Sequence, residues 1–210
     1  FLDMHGVPYT GSGALSSALG MHKHLAKDYF KKSNIKIPFS VLVRSEEDAE
    51  IRARDIWRTF SHPAIVKPAS AGSSVGVAFI ATYDELLEAI FVARSFSDSV
   101  IIEEYIEGRE VTCGVFDNFR GQRTYALPPV EVILPPNTRV YDYDSKYIHF
   151  CPDICPGRFS NTEKHIIQET AKKVHELLSL RHYSRSDFIL SPQKGIYLLE
   201  VNTLPSLTSE

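Results

Sequence analysis

The chain has 210 residues, 43% hydrophobic and 23% charged, which is the balance of an ordinary globular protein with room for one large domain or two small ones. A formal net charge of −3 gives no electrostatic basis for binding nucleic acid or an anionic membrane. No segment has the uncharged apolar length of a membrane span, so small molecules or other proteins are the expected partners. Cys113, Cys151 and Cys155 are too few for a secreted disulfide framework and fit a reducing compartment. Cys151 and Cys155, in "CPDIC", have no second Cys or His pair at zinc-ribbon spacing and are not read as a metal site.

In chain order, residues 7–12 read as an extended piece and a turn. A helix follows over 14–32, where Leu15, Leu19, His22, Leu25, Ala26, Tyr29 and Phe30 recur at steps of three and four. "IKIPFSVLV" reads as a strand with an early proline. Ser45 opens a helix to Phe60, with Glu46, Glu47 and Asp48 in the turn that the helix dipole favours. A strand at 63–68, a Ser/Gly loop, a strand at 76–80 and a helix from Tyr83 to about Phe96 come next. Strands "SVIIEEYI" and "EVTCGVF" are joined by the turn "EGR". Beyond "PVEVILPP" lies a polar loop over 138–160, then a helix from about Asn161 to Leu180. The strands "YSRSDFIL" and "IYLLEVNT" face each other across "SPQKG". The mixture of strands and helices makes the fold class α+β or α/β, without internal repeats.

The last two strands carry an unusual burden. Alternate strand residues share a face, so Arg185 and Asp187 point one way and Glu200 and Asn202 share a face on the partner strand. A hairpin folded about Gln193 and Lys194 sets Asp187 opposite Glu200, and two opposed carboxylates repel unless something cationic sits between them. Two carboxylates and an amide oxygen form a hard, oxygen-only set suited to Mg²⁺; a plain polar hairpin is the alternative.

"IVKPASAGSSVGVAF" at 65–79 is not a Walker cradle, because its lysine precedes the small residues and a strand follows instead of a helix. Its backbone N–H groups and hydroxyls still suit an anion, with Lys67 on the strand beneath; a surface turn is the alternative. In "IIEEYIEGRE", Glu103 and Tyr105 share a face with Ile101, an arrangement that fits either an adenine edge and ribose diol or a sheet with an acidic end. "YDYDSKYIHF" at 141–150 sets four aromatics and Lys146 in a loop, as a lid over a ligand or as a folded-back loop with its own packing. His22, His24 and His62 form no ligand constellation.

Five phrases together, "GVPYTGSGALSSALGMHK", "IVKPASAGSSVGV", "IIEEYIEGREVTCGV", "YDYDSKY" and "YLLEVNTLPSLTS", resemble the D-alanine:D-alanine ligases of the ATP-grasp superfamily, in order and through almost the whole chain. The resemblance implies an α+β ATP-grasp fold, in which two α+β subdomains with antiparallel sheets clasp ATP. It also implies a reaction in which the carboxylate of one D-alanine attacks the γ-phosphate of ATP and the amine of a second D-alanine displaces phosphate from the acyl phosphate. The product is D-alanyl-D-alanine for peptidoglycan. Another ATP-grasp carboxylate-amine ligase with different amino acids, or a non-catalytic ATP-binding module, is the alternative.

Position by position, the resemblance makes Lys23 and Lys67 nucleotide-phosphate lysines and puts Ser73 and Ser74 in a phosphate-covering loop. Glu103 with the backbone of Glu104 and Ile106 becomes the adenine rim, and Glu110 the ribose carboxylate. Asp187, Glu200 and Asn202 become Mg²⁺ (or Mn²⁺) ligands, and Arg185 the arginine that steadies a tetrahedral oxyanion. Lys146 and Tyr147 match the mobile loop, where tyrosine favours D-alanine as second substrate. Ser206, where the family has glycine, would offer its N–H to the oxyanion. The same likeness divides the chain into a tail of an N-terminal substrate-binding subdomain at 1–20, a central subdomain at 21–108 and a C-terminal one at 109–210. It implies ATP and D-alanine as small-molecule partners, no nucleic acid or membrane, a cytoplasmic setting, and a homodimer as one form the protein could take.

Overall fold

The computed structural model describes residues 1–72, 74–135, 138–140 and 153–206. In chain order the elements are α1 (Ala14–Met21), α2 (Lys23–Lys32), β1 (Ser40–Val43), α3 (Ala49–Thr59), β2 (Ala64–Pro68), β3 (Ala78–Ile80), α4 (Tyr83–Arg94) and β4 (Val100–Glu104). They continue with β5 (Arg109–Phe119), β6 (Gln122–Ala126), β7 (Val130–Val132), α5 (Asn161–Leu177), β8 (Tyr183–Ser191) and β9 (Gly195–Asn202). Two units result: Phe1–Ile37 with Gly108–Val132 and Asp153–Glu210, and Pro38–Glu107 with Ile133–Pro152. Residues 21–37, grouped with the central segment in the sequence division, pack instead with the C-terminal strands, because Ala26, Phe30 and Ile35 are buried among Val111, Phe188 and Val201.

Side-chain caps mark the helix starts. Thr82 and Ser160 each accept from the N–H three residues on, while Glu85 and Glu163 reach back to the cap N–H, the reciprocal box that "TYDE" and "SNTE" spell. The Asp48 carboxylate caps α3 by accepting from the Ile51 N–H at 2.9 Å, so this helix begins after Asp48 and not at Ser45. The helix expected over 14–32 is two helices, since His22 at φ −86° and ψ 87° is not helical. A further hairpin, β5 to β6, turns on Arg120 and Gly121. Both have positive φ, as a two-residue hairpin turn of the primed type requires.

The central unit is an antiparallel sheet of order β1-β4-β2-β3 with α3 and α4 on one face. Its core is Val43, Val66, Ile80, Val100 and Ile102 under Ala53, Ile56, Leu86, Ile90 and Ala93. Strand alternation therefore turns Ile65, Lys67, Ile101 and Glu103 to the face the helices leave uncovered.

The other unit is a five-stranded antiparallel sheet of order β6-β5-β8-β9, with β7 also on β5. Val111, Cys113, Val115, Phe188, Leu198 and Val201 meet Phe30 of α2 and Ile167, Ala171 and Val174 of α5. Beyond β7, Ile154 pairs with Glu131 in an isolated bridge. The Glu131 carboxylate accepts the Arg158 N–H and guanidinium at 3.1, 2.9 and 3.2 Å, and these bonds hold it below the usual carboxylate range.

His175 of α5 joins that helix to the sheet: its ring nitrogens lie 2.8 Å from Ser184 Oγ and 3.1 Å from Asp117 Oδ1. A Ser, a His and an Asp in series also describe a nucleophilic triad, but Ser184 and His175 are 2% and 1% exposed, so the set is part of the core. Burial holds the imidazole below its ordinary pKa, outweighing the opposite pull of Asp117 and Glu176. As pH falls through about 6.5 the unfolded chain takes a proton that the folded chain resists, so this contribution is present above that pH and lost below it. Between about pH 7.5 and about pH 5.5, wild-type stability in urea should fall by about 1 kcal/mol more than that of His175→Gln. Equal falls in both would show that His175 carries no such linkage.

Candidate functional site

The β8–β9 hairpin pairs Ser191 with Gly195, and its register sets Leu198 opposite Phe188. Carried on unchanged, that register would place Leu199 opposite Asp187 and leave Glu200 on the same face as Leu198, in the core. A β-bulge between Asp187 and Phe188 absorbs Leu199 as an extra residue, and Glu200 comes to stand opposite Asp187. Leu198 and Val201, three residues apart, can then both face the core while Glu200 and Asn202 face away. The opposition of Asp187 and Glu200 is the one expected from sequence, but a three-residue loop plus a bulge produces it in place of a turn about Gln193 and Lys194.

Two carboxylates about 5 Å apart repel by roughly 3 kcal/mol at an effective dielectric of about 20, more than a favourable cross-strand pair returns. Cationic and neutral donors of the chain relieve this. Asp187 Oδ1 accepts from Thr112 Oγ1 at 2.7 Å and Arg185 Nε at 3.0 Å; its Oδ2 accepts from Asn202 Nδ2 at 2.8 Å and Arg185 Nη2 at 3.1 Å. Glu200 Oε2 lies 2.6 Å from Lys23 Nζ. The break at His22 puts Lys23 at the first position of α2, where the positive end of the helix also favours an anion. Glycine at position 20 lets α1 approach the end of β9, because a Cβ there would stand 2.6 Å from Thr203 Cγ2. Arg185 also acts on Asp153, whose carboxyl is pushed up by partial burial and pulled back by the guanidinium.

Asp187, Glu200 and Asn202 fit a hard divalent cation in donor chemistry. Asn202 commits its amide nitrogen to Asp187, which leaves its oxygen as the acceptor end of the group. The set is two carboxylates and an amide; no group of three or more His, Cys, Asp or Glu is arranged for a metal among the described residues. Cys113 is buried, which pushes its thiol up to about 12 and leaves it unreactive; Cys155 is exposed and single. Glu110 shares the face of Thr112 on β5, two residues along, and Ser206 is exposed beyond β9.

In the central unit Lys67 and Glu103, on adjacent strands, meet on the sheet face away from the helices with Nζ 2.8 Å from Oε2. Their side chains are 9% and 3% exposed, so this is a buried ion pair. Ser74, at φ 56°, and Gly76, at φ 70°, shape the loop above. The Val75 and Val77 N–H groups donate within that loop, to Gly72 O and Ser74 O. The Glu104 N–H is spent on Phe39 O, and its carboxylate accepts the Phe39 N–H at 2.9 Å, fixing the start of β1; Ile106 is buried. Ser73, Lys146 and Tyr147 lie outside the described residues.

Thr112 was absent from the sequence expectation. The signal was there in the E-x-T spacing of Glu110 and Thr112, which places both on one strand face. Reading Thr112 as a partner of Asp187 needs the β5–β8 register, which pairs the two.

The buried ion pair yields a stability prediction. Lys67→Met strands the Glu103 charge in a dry site and should destabilise the chain by about 3 kcal/mol, whereas adding Glu103→Gln should restore most of that loss. Urea denaturation of the single and double variants measures it. A double variant no more stable than the single would show that the stranded charge is not the cause.

The family model for "D-ala D-ala ligase C-terminus" matches residues 30–210. A D-alanine--D-alanine ligase of Desulfotalea psychrophila is 38% identical over 99% of this chain and 64% of that protein. One of Geobacter sulfurreducens is 35% identical over 99% of this chain and 62% of its own length. The chain thus spans a little under two thirds of these relatives. Among solved structures, the D-alanyl-alanine synthetase A of Vibrio cholerae matches at a TM-score of 0.85 with 31% identity, over 99% of this chain and 62% of its own. The D-Ala:D-Ser ligase of Enterococcus faecalis matches at a TM-score of 0.85 with 31% identity, over 99% of this chain and 59% of its own. The α+β architecture with two antiparallel sheets is the ATP-grasp fold of these neighbours, and the chain belongs to the D-Ala-D-Ala ligase C-terminus family.

Proposed function

We propose that this chain is the ATP-binding and metal-binding part of a D-alanine:D-alanine ligase. The observation that carries the reading is the opposition of Asp187 and Glu200 on adjacent strands, with Arg185 and Asn202 on the same face. The two opposed, half-buried carboxylates and the amide oxygen beside them offer the hard donor set that a divalent cation takes. Asp187, Glu200 and the Asn202 oxygen would hold Mg²⁺, whose chemistry is to neutralise the phosphate oxygens of ATP.

The remaining roles follow from this chain's own groups. Lys23 and Lys67 are point charges suited to phosphate oxygens, and each is held against a carboxylate, Glu200 and Glu103 respectively. Arg185 presents a forked guanidinium to the negative charge that develops when an amine adds to an acyl phosphate. In the proposed reaction the carboxylate of one D-alanine takes the γ-phosphoryl group of ATP with loss of ADP, and the amine of a second D-alanine then forms the peptide bond with loss of phosphate. Glu110 would receive the ribose hydroxyls, Glu103, Glu104 and Ile106 the adenine, and Ser73, Ser74, Lys146, Tyr147 and Ser206 would close on the phosphates and the oxyanion. Use of ATP would fit a cytoplasmic setting.

With the full-length protein, ADP release should require D-alanine and Mg²⁺ together, and D-alanyl-D-alanine should accumulate with it. Glu200→Gln should lower kcat/KM by about tenfold or more while leaving the fold intact by circular dichroism. ADP release that ignores D-alanine, or a Glu200→Gln variant with unchanged Mg²⁺ dependence, would overturn the reading. D-serine offered as acceptor in the same assay tests the second substrate.

A further inference from the structure

Asp187 is over-partnered for a metal ligand. A carboxylate has about four lone-pair sites, and here four hydrogen bonds fill them, from Thr112 Oγ1, Arg185 Nε, Arg185 Nη2 and Asn202 Nδ2. A cation can reach Asp187 only if one of these donors leaves, and the donors differ in kind. Arg185 is charged, so a divalent cation arriving at the same carboxylate repels it. Thr112 is neutral, lies on the neighbouring strand directly paired with Asp187, and makes the shortest of the four bonds at 2.7 Å. Its hydroxyl can keep one lone pair of Oδ1 while the cation takes another.

We infer that Thr112 is the permanent anchor of Asp187 and Arg185 its exchangeable partner, so that loading the metal releases the Arg185 guanidinium toward substrate charge. The inference rests on the ligase reading above, and makes Thr112 a positioning residue: it touches neither substrate nor metal but fixes the rotamer of the carboxylate that does. Removing a hydrogen-bonding group behind a metal ligand in this way commonly costs about ten- to a hundredfold in affinity. The Thr112 methyl restricts χ1, and the hydroxyl is held on the Asp187 side.

The test is Mn²⁺ binding to full-length protein in the presence of ADP, followed by the loss of the free Mn²⁺ electron paramagnetic resonance signal, a readout independent of turnover. Thr112→Val, which keeps shape and removes the hydroxyl, should weaken Mn²⁺ binding by about tenfold or more, and Thr112→Ser should remain within about threefold of wild type. Arg185→Met, which removes a competitor for Asp187, should bind Mn²⁺ at least as tightly as wild type. Equal affinity in wild type and Thr112→Val, or weaker binding in Arg185→Met, would overturn the inference and leave the ligase reading standing. A wild-type protein that binds no Mn²⁺ with ADP would overturn the metal site itself, and the inference with it.

Discussion

The repulsion between Asp187 and Glu200 is the constraint around which the β8–β9 end of this chain is arranged. A single bulge at Leu199 creates it, by taking Glu200 off the core face and setting it against Asp187. Everything near that pair answers the resulting charge. Arg185, Asn202 and Thr112 converge on Asp187, and the broken helix brings Lys23 to Glu200. Nearby, α1 packs closely on the end of β9 at Gly20, where a Cβ would stand 2.6 Å from Thr203 Cγ2. A fold selected for stability alone would keep the simple register, bury an apolar residue at 200 and need none of these compensations.

The central unit meets an equivalent problem in a drier place. Lys67 and Glu103 form an ion pair that is nearly closed to solvent, on the uncovered face of a sheet whose other face is fully apolar. Buried pairs of this kind return little net stability, because desolvating two charges cancels most of their attraction. Their presence is better understood through exchange. A lysine that already faces a carboxylate is held in one rotamer, so a phosphate that displaces the carboxylate meets a pre-oriented ammonium and loses less side-chain entropy on binding. Lys23 against Glu200 repeats the device, with the difference that its carboxylate is itself a candidate metal ligand.

Much of this was legible from the chain because the signals are local. Alternation across a two-residue turn predicts the opposed carboxylates, although a three-residue loop and a bulge produce them; the strand after the Ser/Gly loop rules out a Walker cradle, and β2 and β3 do pair as a hairpin around that loop. What escaped depends on distant partners. The helix over 14–32 has unbroken apolar spacing, and nothing in that spacing marks its division at His22. The β6 strand was missed because "FRGQ" lacks the Asn-Gly or Asp-Gly pair that marks most two-residue turns, although Arg120 adopts positive φ all the same. The Glu110–Thr112 spacing puts Thr112 on the site face, but its role stayed hidden because its partner stands on another strand and only the β5–β8 register joins them.

The two units share a plan that makes their chemistry possible. Each is an antiparallel sheet with helices packed on one face, and each keeps its candidate site residues, Lys67 and Glu103 in one and Arg185, Asp187, Glu200 and Asn202 in the other, on the opposite face. Period-two alternation lets one strand serve both duties, as β8 does with Ser186 and Phe188 inward and Arg185 and Asp187 outward. Because the inward residues are locked by close packing, the outward ones are fixed at the backbone before any ligand arrives, and only their tips can move. The positional accuracy that an electrostatic site needs thus comes from the apolar side of the same strands, at positions that touch no substrate.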